Sequence, residues 1–403
     1  MKSNTQRLSG PSINEARRFL AAVLFLGVLG VAASGGPPAS NYTRILRDGE
    51  SYLICEVNDR NGKSRLFAID TGAATTVLDS AEFKSEGTQG SIEGTINNAL
   101  HQRVPTKFVR PPKLSLGPFE FSSPWVPLVD LSLMRSVSGL PIFGLVGMDF
   151  LNDKILELNF EDKNLRIFQA DHQLKNYQFD RFIRKLPSGS RAIDVEFNEG
   201  TASFLLDTGA AGFFSIQPDL YSRLLAKGIL KSCAQSTYVF APGGQSRQER
   251  AAEMVWEEIC HIPVRGMSVS ESQRTIVGLE FLRATNCAID FPNSRIHLTP
   301  RAGYQGLLDV EDMLGFAVQY ENNKVLMRGL LDKKHPLHAS GVKPGHEIVE
   351  LAGMSPVEMN EVSLYEVVKR NAGGAISIKV LDGRKTIFAG IIHVSDVRYA
   401  KRK

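Results

Sequence analysis

Phe67-Ala-Ile-Asp-Thr-Gly-Ala-Ala74 returns nearly unchanged as Phe204-Leu-Leu-Asp-Thr-Gly-Ala-Ala211, and this repetition decides how the rest of the chain is read. A second pair follows it: Leu145-Val-Gly-Met-Asp-Phe-Leu151 recurs as Ile276-Val-Gly-Leu-Glu-Phe-Leu282. Each copy of that second element runs into apolar, alternating residues split by turn formers. In the first copy these are Ile155 to Phe160 and Leu165 to Phe168, in the second Cys287 to Phe291 and Arg295 to Leu298. Apolar alternation broken by Asp, Asn, Pro and Ser predicts β-hairpins. Two β-rich halves of similar length are therefore expected, at 42–172 and 176–300, with the polar segment Asp171 to Asn176 as the seam.

An aspartate at the end of an apolar strand is costly unless its charge is used, because burying a carboxylate requires hydrogen bonds or a shifted pKa. Two such aspartates in matched halves, Asp70 and Asp207, are expected to face each other and share a proton. That state suits hydrolysis by an activated water, one carboxylate acting as base and the protonated partner as acid. The neighbours have uses of their own. Thr71 and Thr208 offer hydroxyls to brace the two loops, and Gly72 and Gly209 let the backbone approach the carboxylates as a donor. Ala73 and Ala210 bring no hydroxyl to the ionised carboxylate, which predicts a less acidic pair and activity nearer neutral pH.

These motifs resemble the retropepsin family of aspartic proteases, in which Asp-Thr-Gly-Ala follows an apolar pair and a downstream apolar-apolar-Gly element crosses beneath the loop. Ile69 to Ala73 with Leu145-Val-Gly147 match that pattern, as do Leu206 to Ala210 with Ile276-Val-Gly278. The resemblance implies a mainly β, pepsin/retropepsin-like double β-barrel pseudodimer carrying both half-sites in one chain, so that no obligate dimer is needed for catalysis. It also implies endopeptidase activity on polypeptide substrates with no cofactor and no metal. Gly-containing flaps over the cleft would fall at Gly87-Thr-Gln-Gly-Ser-Ile-Glu-Gly94 and Tyr238-Val-Phe-Ala-Pro-Gly-Gly-Gln245, which read equally as ordinary surface hairpins.

Beyond Pro300 the character changes. Ser340-Gly-Val-Lys-Pro-Gly-His-Glu-Ile-Val-Glu-Leu-Ala-Gly353 resembles a PDZ signature, implying a small mixed α/β domain at 305–395. The resemblance places peptide binding at Leu314, Gly315 and Phe316, whose N–H groups would cradle the C-terminus of a protein or an internal peptide. A peptide would then add as a strand beside Gly315 to Val318, against a helix near Leu364. His335 and His338 lack nearby Cys or carboxylate ligands and are read as solvated rather than metal-binding. Trp125 and Trp256 are read as core or cleft wall.

The 403 residues are 43% hydrophobic and 22% charged, the composition of a packed chain of two or three domains. Lys2, Arg7, Arg17 and Arg18 against Glu15 account for most of the formal charge of +4, which leaves no footprint for nucleic acid. Arg17-Arg18 precedes the apolar run Phe19 to Ala33, with Val31 and Ala33 as small residues before Ser34. Residues 1–34 therefore read as a signal peptide or an N-terminal membrane anchor, and the chain as exported, periplasmic or extracytoplasmic. Of four cysteines, Cys55 and Cys287 sit in strand-like runs as small buried hydrophobes. Cys233 and Cys260 are either free thiols or a pair formed in an oxidising compartment. Two other readings stay open: a catalytically inactive peptide-binding protein that takes specificity from the PDZ domain, and a factor that cleaves itself once.

Overall fold

The computed structural model describes residues 41–395, apart from 48, 86–89, 99–101, 198–199, 242–244, 257, 260, 303, 305–309 and 331–334; the side chains of 233–248, 311 and 312 also lie outside the description. The apolar leader, Cys260 and the side chain of Cys233 fall outside the description. Among the described residues no helix is long and apolar enough to cross a membrane.

The chain is mainly β. Strand Leu53–Asp59 turns at Asn61-Gly62 into strand Ser64–Ile69, and the Asp59 carboxylate accepts the Asn61 and Lys63 N–H groups at 2.8 and 3.0 Å to fix that turn. Ser64–Ile69 runs parallel to strand Ile142–Val146, with Ile69 opposite Val146, while strand Val77–Asp79 lies antiparallel on the other side of Ile142–Val146. Strands paired on both sides and covered on both faces need continuous apolar runs, and Phe67, Ala68 and Ile69 are fully buried.

The same arrangement occurs again. Strand Gly200–Leu206 runs parallel to Ile276–Val277, Leu206 opposite Val277, and strand Phe214–Ile216 lies antiparallel on its far side. Short helices, Met148–Leu151 and Leu279–Arg283, follow Gly147 and Gly278, whose backbones match closely at φ −97°, ψ −173° and φ −98°, ψ −174°. Each then leads into a hairpin, Lys154–Asn159 with Asn164–Gln169 and Thr285–Asp290 with Arg295–Pro300. The two hairpins pair antiparallel, Leu156 opposite Ile289, which welds the repeats into one sheet.

Thirteen strands join in that sheet, from Asn41–Ile45 at one edge to Leu230–Ala241 at the other, and nine more form a second sheet within the first repeat. The mainly β character expected from the sequence is present, and among the described residues no strand pairing closes either sheet on itself. A large continuous core lies between them and holds Cys55 and Cys287, both free thiols with no exposure.

Strands Phe316–Glu321, Lys324–Leu330, Glu347–Leu351, Ala375–Asp382 and Lys385–His393 form a separate antiparallel sheet in chain order. It has its own apolar cluster, to which helix Glu361–Arg370 contributes Leu364 and Val368. Asn360 caps that helix, its side chain accepting the Ser363 N–H at 3.0 Å while the Ser363 hydroxyl accepts the Asn360 N–H at 2.8 Å.

Strands Ile92–Asn97 and Arg103–Val109 pair as a hairpin, and the flap expected at Gly87 to Gly94 lies partly outside the described residues. One further expectation changes. His335 is buried rather than solvated: it caps helix Pro336–Ala339 by accepting the Leu337 N–H at Nδ1, and its ring meets Phe316 edge-on. His338 is exposed.

Candidate active site

Each Asp-Thr-Gly loop hangs from the end of an apolar strand. The Asp70 N–H donates to the Val146 carbonyl at 3.0 Å and the Asp207 N–H to the Val277 carbonyl at 2.9 Å, so the parallel strand of each repeat holds its loop. From below, the Met148 N–H reaches the Ala73 carbonyl at 2.9 Å and the Leu279 N–H reaches Ala210 at 2.7 Å. The glycine between strand and helix is needed for this closeness. A Cβ on Gly147 would sit 2.4 Å from the Thr75 backbone, and one on Gly278 would sit 2.1 Å from the Gly212 carbonyl oxygen.

The loops lock to one another through the threonines. The Thr71 N–H donates to Thr208 Oγ1 at 3.1 Å, and the Thr208 N–H donates to Thr71 Oγ1 at 3.0 Å. Each hydroxyl donates a hydrogen bond across to the other repeat, Thr71 to the Leu206 carbonyl at 2.8 Å and Thr208 to the Ile69 carbonyl at 2.7 Å. Both threonines are fully buried, so every donor and acceptor in this set is satisfied within the protein.

Held this way, Asp70 and Asp207 are brought together and hydrogen-bond to each other. Asp70 Oδ1 accepts the Gly72 and Ala73 N–H groups, both at 2.9 Å, and Asp207 Oδ1 accepts the Gly209 N–H at 2.9 Å. Each glycine also faces the opposite carboxyl: a Cβ on Gly72 would lie 2.4 Å from Asp207, and one on Gly209 would lie 2.6 Å from Asp70. Asp-Thr-Gly thus needs its third residue for two reasons, as donor to its own aspartate and as space for the other.

Burial, then the negative charge of Asp207, pushes the Asp70 carboxyl well above the usual carboxylate range. Burial also raises Asp207, but the Gly209 N–H, the hydrogen bond from Asp70 and the Arg274 guanidinium pull it back. Both carboxyls are thus held above the usual carboxylate range, and two such groups in contact share one proton between them. Such a pair holds an acid and a base in contact, ready to serve one reacting water and one carbonyl.

Residues 55–150 match the aspartyl protease family model. That stretch contains Asp70, Thr71, Gly72, Ala73 and the Leu145-Val-Gly147 element, so an aspartic protease-like domain is present in the first repeat. A search of curated proteins found no match to the chain.

Sequence reasoning missed several residues around this domain. Arg274 acts on Asp207 from just ahead of strand Ile276–Val277, and an arginine beside an apolar strand carries no signal of its own. The Ser190 hydroxyl donates to the Gly72 carbonyl at 3.3 Å from the turn before strand Arg191–Phe197. Asp149 Oδ1 accepts the Thr76 N–H and hydroxyl at 2.7 and 2.8 Å, and its other oxygen takes the Thr75 and Ser123 hydroxyls. The recurrence of an acid at this place, Asp149 then Glu280, was the available clue; Glu280 instead accepts the Tyr304 hydroxyl at 2.5 Å.

Leu314, Gly315 and Phe316 lie in the C-terminal unit and belong to its separate core. Leu314 ends helix Val310–Leu314, Gly315 takes φ +76°, and Phe316 opens the edge strand. The Leu314 and Phe316 side chains are buried, so only backbone could meet a ligand there. Trp125 is half-buried under Arg110, and Trp256 packs against the main core beside Phe197.

Proposed function

We propose that the protein is an exported aspartic endopeptidase of the retropepsin type, with two Asp-Thr-Gly half-sites in one chain and a C-terminal PDZ domain. The observation that carries this reading is the reciprocal Thr71/Thr208 lock, which joins the two loops and sets Asp70 against Asp207. A half-buried Asp70 carboxyl in contact with a buried Asp207 carboxyl, the two sharing one proton, supplies an acid and a base in one place.

In the first step ionised Asp207 takes a proton from a water molecule, whose oxygen attacks the carbonyl carbon of the scissile peptide bond. Asp70 gives its proton to the carbonyl oxygen, leaving a neutral tetrahedral intermediate. The carbon–nitrogen bond then breaks as the proton on Asp207 passes to the leaving nitrogen and Asp70 recovers its own from the intermediate's hydroxyl. The pair is thereby returned to its starting state. The chain's own donors, the Gly72, Ala73 and Gly209 N–H groups, hold the carboxylates fixed throughout and lower the reorganisation needed.

The test is cleavage of an unfolded protein by the full chain from pH 3 to 8. The intact enzyme is expected to cut, and Asp70→Asn to lower the rate by about a thousand-fold. An intact chain that cuts nothing at any pH, yet binds peptides through its C-terminal unit, would instead favour a peptide-binding protein.

A further inference from the structure

Strand Phe316–Glu321 stands at the edge of the C-terminal sheet, and an edge strand is a template for added chain. Helix Ser132–Ser138 of the first repeat packs against it. Gly139, the left-handed cap of that helix, enters between the strand and helix Glu361–Arg370: a Cβ added there would lie 2.9 Å from Asn360 Cα and 3.1 Å from Tyr320 Cγ. Burial along the strand agrees, since Phe316, Ala317 and Val318 are all buried where an uncovered strand would alternate.

A second contact holds helix Glu361–Arg370. Tyr365 is buried yet stands apart from the apolar cluster of the C-terminal unit; Gly49 approaches so closely that a Cβ there would lie 2.4 Å from the Tyr365 Cβ. Next to it, both carboxylate oxygens of Glu361 are buried without a close hydrogen bond, with the Ser51 N–H and hydroxyl acting on them.

We propose that residues 132–139 are an internal ligand of the cleft between Phe316–Glu321 and Glu361–Arg370, latched by Tyr365 and Glu361 on residues 49–51, so that a polypeptide entering the cleft must displace them. The regulatory part of this inference rests on the protease reading above; the self-contact does not. Displacement is felt at the candidate active site by two short routes. Met134 of the inner helix shares an apolar cluster with Ala68 and Leu145, on the strands that carry the Asp70 loop. Ser51 lies just ahead of Leu53, which pairs with Ile69 immediately before Asp70.

Glu361 makes the latch sensitive to pH. Burial raises its carboxyl from 4.5 to about 7, with Glu50 adding to the rise, and Ser51 and Arg283 opposing it. Glu50 is itself paired with Arg44 at 2.9 Å, and Tyr52 and, on the same helix as Glu361, Tyr365 are further titratable groups on the packed elements. The docked state binds the proton more tightly than the undocked one. Docking is therefore strongest below pH 4.5 and weakens as pH rises through 7, by a factor on the order of a hundred.

The test is hydrogen exchange in the full chain carrying Asp207→Asn, which removes cleavage from the measurement. After correction for the intrinsic pH dependence, amides of 132–139 and 316–321 are expected to exchange together at least ten-fold faster at pH 8.5 than at pH 5.5. Glu361→Gln should hold the slow rate at both pH values, and Tyr365→Ala should give the fast rate at both. Strand Ala375–Asp382 serves as the internal reference for an intact C-terminal fold. If Tyr365→Ala unfolds that strand, the Glu361→Gln comparison decides. Exchange at 132–139 that ignores pH, or a Glu361→Gln profile matching that of the parent, would overturn the proposal.

Discussion

Burial pushes the Asp70 carboxyl up, so folding near neutral pH must either keep a proton on it or hold a charge where water would otherwise solvate it. The sign of the consequence is fixed. A carboxyl whose folded pKa is raised costs nothing below the unfolded value near 3.9 and lowers stability progressively as pH rises toward the folded value. Asp70→Asn should then raise the melting temperature by a few degrees at pH 7.5 and leave it nearly unchanged at pH 3.5. Equal shifts at both pH values, measured by calorimetry, would contradict the buried, proton-sharing description. Thr71→Val tests the lock itself. It leaves the Leu206 carbonyl without its donor and the Thr208 N–H without its acceptor, and should cost about 2 to 5 kcal/mol in denaturant unfolding. The meeting of these two loops was legible in the sequence because each residue type in Asp-Thr-Gly has a distinct chemical use and the triplet appears twice. Arg274 and Ser190 were not legible, since their part comes from the place folding gives them rather than from any local pattern.

At the level of elements, the strand, glycine and short helix beneath each loop form the unit that repeats. Gly147→Ala would press a methyl group against the Thr75 backbone, and Gly278→Ala against the Gly212 carbonyl; neither obstacle is a side chain that can swing away. Each change is expected to cost about 1 to 3 kcal/mol and to lower activity by displacing its aspartate, whereas Gly212→Ala, which meets nothing within 4 Å, should be close to neutral. Comparing the three variants by melting temperature and cleavage rate checks this. The hairpins after these helices were readable from apolar alternation and turn residues. The pairing of Ile92 with Phe108 and Asn97 with Arg103 was not readable, because it is set by partners distant in sequence. His335 was misread for a related reason. Nothing near it in sequence shows that its ring would be enclosed beside Phe316 and Gly315.

Across the whole molecule, the central hairpins tie the repeats into one sheet while the C-terminal unit keeps a separate core. Ile289, fully buried and opposite Leu156, belongs to both repeats at once. Ile289→Ala should cost about 2 to 5 kcal/mol and lower the unfolding transition of both repeats together, with exchange in strand Ala375–Asp382 far less affected. Separate transitions for the two repeats would contradict the shared sheet. The mainly β character and the change near Pro300 were legible in composition and motif. The contact of helix Ser132–Ser138 with strand Phe316–Glu321 was not, because it depends on which surfaces meet after each part has folded. The central claim is that one chain supplies both aspartates of one catalytic pair. It is tested most directly by measuring cleavage of an unfolded protein by the intact chain, by Asp70→Asn, by Asp207→Asn, and by an equimolar mixture of the two variants. The account predicts activity in the intact chain alone, with the mixture as inactive as either variant. Full activity in either single variant, or activity restored on mixing, would contradict it.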